Sequence, residues 1–150
     1  MELFRLTRDK YAFTLKASGV ANRWNYDKEY VMYAGSSRSL ATLEMVVRRN
    51  SVRLANTYHM MVIAIPHHAR LTSSITPKML PKNWRSIDAY GSLQALGSAW
   101  YKSQKSLLLK VPSVIIEKEY NYIINTQHPD FKKHVLLRKP EAYFWDERLL

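Results

Sequence analysis

"VMYAGSSRSLATLEMVVRR", residues 31–49, holds a strand, a turn and a helix in one short stretch. Its first residues alternate, with Val31 and Tyr33 on one face of a strand and Met32 and Ala34 on the other. Gly35 ends that strand, and Ser36, Ser37 and Ser39 are candidate N-caps for a helix over 40–49. The basic pair Arg48 and Arg49 suits the negative end of that helix's dipole. On the helix, Leu40, Leu43, Glu44 and Val47 fall on one face at i, i+3, i+4 and i+7. A carboxylate inside an apolar stripe is partly desolvated and needs a partner. Either it pairs with Arg48 one turn later or it belongs to a functional cleft.

Outward from this stretch the strands are short and the helices few. "LFRLTR" at 3–8 alternates apolar and basic residues and reads as a half-buried strand. "YHMMVIAIP" at 58–66 is a continuous apolar run, expected to be a central strand buried on both faces. Residues 67–90, with Pro77 and Pro81, read as a long irregular connection. "SLQALGSAWYKS" at 92–103 has helical spacing through Leu93, Leu96 and Trp100. "LLLKVPSVII" at 107–116 and "YNYIIN" at 120–125 read as two further strands, and the tail from Phe131 as a last strand and a docked terminus. The expected class is therefore α+β, in one domain spanning 1–150.

Composition bounds the function. The chain has 150 residues, 47% of them hydrophobic, and no cysteine, which removes disulfides and thiolate metal sites. "MELFRLTRDKYAF" lacks the apolar core of a signal peptide, and no run approaches the ~20 apolar residues of a membrane span. A cytoplasmic protein with no membrane association is expected. The net charge of +11 predicts an anionic partner: nucleic acid, a phosphorylated small molecule or an acidic protein. The basic residues are scattered rather than clustered, which weakens the nucleic-acid reading.

Few residues fit chemistry. Arg23, in "ANRWN" at 21–25, carries a planar fork that grips phosphate through two hydrogen bonds, or else lies over Trp24 at the surface. Tyr33 is a core residue or a platform for a planar ring. Ser113 follows Pro112 and either points a hydroxyl into a site or satisfies a neighbouring backbone group. No G-x-S-x-G elbow surrounds it, which argues against a serine hydrolase. His67 and His68 are neighbours on an extended segment and cannot both face one metal, so no metal site is expected. The chain has only 4 glycines, none in a phosphate-cradling loop, so kinase, P-loop and Rossmann readings fall away.

Five fragments in order carry a resemblance: "RWN" at 23–25, "VMYAGSSRSLATLE" ending in Glu44, "VPSVII" with Ser113, "NTQHPDF" at 125–131 and "FWDERL" at 144–149. Together they resemble the RES domain, a family of bacterial toxins named for an arginine, a glutamate and a serine. The resemblance implies an ADP-ribosyltransferase-like mixed sheet with a few flanking helices and a cleft for NAD. It implies NAD as substrate, with no permanently bound cofactor. Glu44 would stabilise positive charge on the ribose, Arg23 would hold the diphosphate and Tyr33 would stack on a ring. Ser113 and Asn125 would fix the ribose or nicotinamide. The family often carries a glycine pair before Arg-Trp, where Ala21 and Asn22 stand here.

The resemblance further implies a cognate antitoxin with an Xre-like DNA-binding region; no direct nucleic-acid binding by this chain is expected, and a homodimer within the toxin-antitoxin complex is one of the oligomeric states left open. Three functions stay open. One is an NAD glycohydrolase or phosphorylase toxin, and the second is a protein mono-ADP-ribosyltransferase toxin. The third is a non-catalytic basic binding module. The acceptor that separates the first two is chosen by the cleft mouth, which composition and spacing do not describe.

Overall fold

The computed structural model describes residues 1–48 and 57–150. Its centre is one mixed sheet of eight strands, ordered β4-β5-β6-β2-β1-β3-β7, with β8 also pairing on β3. The strands are β1 (Glu2–Arg8), β2 (Val31–Gly35), β3 (Tyr58–Ala64), β4 (Thr72–Ser74), β5 (Leu108–Pro112), β6 (Tyr120–Asn125), β7 (Leu136–Leu137) and β8 (Glu141–Tyr143). Helices α1 (Arg38–Val46), α2 (Tyr90–Ser103) and α3 (Phe131–His134) flank it. The expected α+β class and single domain are what the fold shows. Among the described residues no helix is long and apolar enough to cross a membrane.

The period-2 pattern of β2 does what it predicts. Met32 and Ala34 join one apolar cluster with Leu3, Ile63 and Ile124, while Val31 and Tyr33 join another with Trp24, Leu93 and Ile123. Ser37 is the N-cap of α1, its Oγ accepting from the Leu40 amide at 3.1 Å. Helix α1 ends at Val46, before Val47 and Arg48, and Arg49 lies outside the described residues.

Five expectations are corrected. The buried side of α1 runs through Leu40, Ala41 and Thr42, whereas Val47 is 55% exposed, because the helix stops before the stripe reaches it. Strand β3 is buried on both faces as expected but lies next to the edge of the sheet, flanked outside by β7 and β8. Residues 67–90 are not wholly irregular. They contain three short 3-10 turns and β4, which pairs parallel with β5 from Thr72↔Leu108 to Ser74↔Lys110. The run at 107–116 leaves the sheet at Pro112, and the tail supplies two short strands rather than one.

One irregularity positions the cleft. Strand β1 pairs with β3 along its whole length, from Glu2↔Ala64 to Arg8↔Tyr58, but with β2 only at Phe4↔Gly35. Beyond that point β1 and β2 leave the ladder, and backbone groups facing the gap need other partners. Helix α1 packs over the same place. Gly35 allows this approach, since a Cβ there would meet the Ala41 amide nitrogen at 3.1 Å.

Candidate functional site

Where β1 and β2 part, a cleft of about 100 Å³ opens beneath α1. Phe4, Leu6, Ala41 and Met45 form its apolar wall, and Arg5, Thr7, Tyr33, Glu44, Arg48 and Asn121 supply its polar groups. Glu44 and Tyr33, both singled out in the sequence, therefore meet in one cavity.

Glu44 is half-buried, and its Oε1 accepts a hydrogen bond from the Asn121 side-chain amide. It forms no ion pair with Arg48 among the described residues. Asn121 stands opposite Gly35 across β2 and β6, which places its side chain under the helix. One Glu44 oxygen is thus fixed by an amide, and among the described residues Oε2 has no hydrogen-bond partner. An acceptor-only carboxylate requires the Asn121 NH₂ on its side, so the orientation of that amide follows from the contact.

Arg5 was not singled out in the sequence, although it is the most distinctive cation of the cleft. It reaches into the gap between the strands and donates to the Tyr33 carbonyl at 3.2 Å, replacing a ladder bond that β1 does not make there. Burial, with a smaller contribution from the charge of Arg48, lowers its pKa from the ordinary guanidinium range to about 10. Among the described residues it has no carboxylate partner. The strand pattern carries no signal for it: only the burial of Leu3 and Phe4 and of Leu6 and Thr7 on its two sides shows that this arginine cannot simply face water.

Tyr33 presents its ring to the cleft, but its hydroxyl is committed. It donates to Asn25 Oδ1 at 2.7 Å and accepts from the Trp24 amide at 3.0 Å. Burial pushes this phenol well above its ordinary pKa, despite the opposing hydrogen bond from Trp24.

The "RWN" turn is built as a unit. Asn22 and Asn25 form an isolated bridge, and the Asn22 Oδ1 accepts from the Arg23 amide at 2.8 Å. Asn25, 1% exposed, donates to the Val20 and Tyr26 carbonyls at 3.0 and 2.9 Å. Trp24 is buried against Leu93 and Trp100 of α2. Gln94 donates to the Asn22 carbonyl at 3.0 Å. Ala21 and Asn22 are not among the residues with positive φ, so this turn does not need a glycine pair. Gly97 is required elsewhere: a Cβ there would lie 1.7 Å from the Trp24 carbonyl oxygen.

Three of the expected site residues do not line the cleft. Arg23 donates from Nη1 to the Trp84 and Arg85 carbonyls, both at 3.4 Å, and its guanidinium lies 4.5 Å from the centre of the Tyr90 ring. Ser113 is 1% exposed, and its Oγ accepts from the Ile115 and Ile116 amides at 3.1 Å, closing its own turn. Asn125 is fully buried, donating to the Tyr101 carbonyl at 3.3 Å and accepting from the Gln127 amide at 2.9 Å.

The profile of the RES domain matches residues 2–146. A protein of Sphingobium sp. (strain YBL2) named Prs ADP-ribosylating toxin is 38% identical over 129 residues, covering 85% of this chain and 80% of its own length. A Yersinia enterocolitica protein named Toxin Res is 30% identical over 153 residues, 99% of each chain. A Photorhabdus laumondii protein, also named Toxin Res, is 30% identical over 154 residues, covering 100% of this chain and 97% of its own. The fold is similar to a chain in the crystal structure of the M. tuberculosis MbcT-MbcA toxin-antitoxin complex. The TM-score is 0.73 at 19% identity, over 95% of this chain and 83% of that one. With nearly its whole length matched by the profile and by relatives of similar size, the chain belongs to the RES domain family.

Proposed function

We propose that this chain is the toxin of a toxin-antitoxin pair and that it consumes NAD by cleaving the bond between nicotinamide and ribose. The observation that carries the reading is the cleft itself: one half-buried carboxylate, Glu44, facing a wall with two guanidiniums and a tyrosine ring. The names of the relatives, two called Toxin Res and one ADP-ribosylating toxin, support it, as does a structural neighbour from a toxin-antitoxin complex.

The chemistry suits such a site. Nicotinamide leaves NAD as a neutral base, so its departure needs little acid catalysis. Positive charge instead develops on the ribose, as in glycoside hydrolysis. Glu44, held at Oε1 by Asn121, presents its other oxygen to that charge. Arg5 meets the diphosphate, while Tyr33 offers its ring face. Arg23 joins them by exchanging two long carbonyl contacts for ligand oxygens, a small loss at 3.4 Å. Ser113 and Asn125 hold the turns at the two ends of the β5–β6 hairpin. At about 100 Å³ the cleft seats one ring-sized part of the dinucleotide, and the remainder lies along the open surface.

The partner in this reading is a cognate antitoxin with an Xre-like region, and the complex contains two toxin copies. A second reading, protein mono-ADP-ribosylation, is favoured by the name of the 38% identical relative. One experiment separates the two. Purified protein is incubated with NAD, with and without inorganic phosphate, and the products are identified. Free nicotinamide with ADP-ribose or its phosphorylated form supports NAD consumption. ADP-ribose attached to protein supports the second reading, and intact NAD with no modified protein refutes both.

A further inference from the structure

Arg48 lies just beyond α1, one turn after Glu44, and lines the cleft together with Arg5. The i, i+4 spacing would let Glu44 and Arg48 pair. They do not, because Glu44 is turned toward Asn121. Among the described residues, no carboxylate lies within 4.0 Å of either guanidinium. Arg5 spends one N–H on the Tyr33 carbonyl, and among the described residues the Arg48 side chain has no hydrogen-bond partner. The charge of Arg48 nevertheless reaches both Arg5 and the Tyr33 phenol. Two cations sharing one small cavity repel each other unless an anion lies between them, and the N–H groups they turn to the cavity have no carboxylate to meet among the described residues.

We infer that Arg48 is a specificity-determining residue that completes, with Arg5, a two-guanidinium subsite for a phosphate or diphosphate oxyanion at the mouth of the cleft. Glu44 faces the same cavity and repels anions from its own side, so the oxyanion sits toward the arginines and an uncharged ring sits toward Glu44. That polarity matches a ribose and the phosphate on its own 5′ carbon. The subsite selects phosphorylated ligands over uncharged nucleosides. Its biological ligand rests on the NAD reading above, whereas its anion chemistry rests on the two arginines alone.

The test uses inorganic pyrophosphate as probe, titrated calorimetrically into the wild-type chain and into Arg48→Gln and Arg48→Lys. Arg48 is exposed, so both variants should unfold in urea at the wild-type midpoint. Arg48→Gln should weaken the pyrophosphate Kd about 5-fold, the upper end for an exposed ion pair, and Arg48→Lys should retain most of the affinity. In turnover assays, Arg48→Gln should raise KM for NAD by a similar factor with kcat unchanged, and should leave any cleavage of nicotinamide riboside unaffected. Failure of the wild type to bind pyrophosphate, or an unchanged Kd in Arg48→Gln, overturns the inference. Arg48-dependent pyrophosphate binding without NAD turnover upholds the subsite while refuting the catalytic reading.

Discussion

Replacing Tyr33 with Phe removes one oxygen and keeps the ring, so it separates the two uses of this residue. In the folded chain the hydroxyl is the hydrogen-bond partner of the Trp24 amide and of Asn25 Oδ1. Trp24 and Asn25 are 3% and 1% exposed, which leaves no water to take its place. Each stranded buried group costs about 1–3 kcal/mol, so the loss for the pair should be about 3 kcal/mol or somewhat more. For a chain of this size that lowers Tm by roughly 10 °C. Urea unfolding should show an earlier midpoint with an unchanged slope. A stability change below about 0.5 kcal/mol would refute the assignment, since that is the scatter of neutral surface substitutions. Turnover of NAD per folded molecule should stay within a few-fold of wild type, because the ring face remains. The same variant has a signature at high pH. Burial raises the wild-type phenol's pKa in the folded state, so its contribution is intact below pH 10 and is lost as pH rises further. Arg5, lowered to about 10, acts in the opposite sense, its cost being relieved as pH rises above 10. Without the phenol, stability should decline less steeply above pH 10 than in the wild type.

Gly97→Ala forces a methyl group to within 1.7 Å of the Trp24 carbonyl, so α2 must back away from the "RWN" turn. The expected cost is about 3 kcal/mol or more, read by urea unfolding, and a near-neutral variant would contradict the close approach. Glu44→Gln keeps an oxygen for Asn121 but removes the charge. NAD turnover should fall by ~10²-fold with the unfolding midpoint almost unmoved, and a variant consuming NAD at the wild-type rate would end the proposed role. Arg23→Lys keeps the charge and loses the fork. Melting temperature should stay near wild type while NAD use weakens, and early melting with full turnover per folded molecule would assign Arg23 to structure alone.

Local signals in the chain predict local structure well. The alternation at 31–35 and the serine cap at Ser37 each describe a short segment and appear as expected, and the apolar run at 58–66 becomes a doubly buried strand, though not a central one. What the chain does not advertise is long-range. The three residues of β4 carry no strand pattern of their own and become a strand by lying parallel to β5. The parting of β1 from β2 depends on which strands pair, not on the composition of either one. Arg5 shares that fate. In "LFRLTR" it reads as the polar side of a half-exposed strand, and only burial of both faces turns it into a cation confined to a cleft. Glu44 was legible because a carboxylate in the stripe of Leu40, Leu43 and Val47 breaks a pattern, even though Val47 itself proves exposed. Ser113 and Asn125 stand out equally in the sequence, but buried hydroxyls and amides that close turns leave the same trace as those that bind ligands.

Arg23, Tyr33 and Glu44 are connected in the structure in a way that does not require all three to touch one ligand. Tyr33 lies on β2 with its hydroxyl against the turn that carries Arg23, and its ring against the cavity that contains Glu44. It joins the two by packing and hydrogen bonding. The turn is held from below by Gly97 and Gln94 of α2, and α1 is held from above by the Ser37 cap and by Gly35. Moving any of these elements shifts the wall that faces Glu44. Substitutions in the "RWN" turn should therefore impair the cleft even where no side chain of the turn enters it. Loss of activity alone cannot place Arg23 at the ligand, which is why its test needs stability and turnover measured on one preparation.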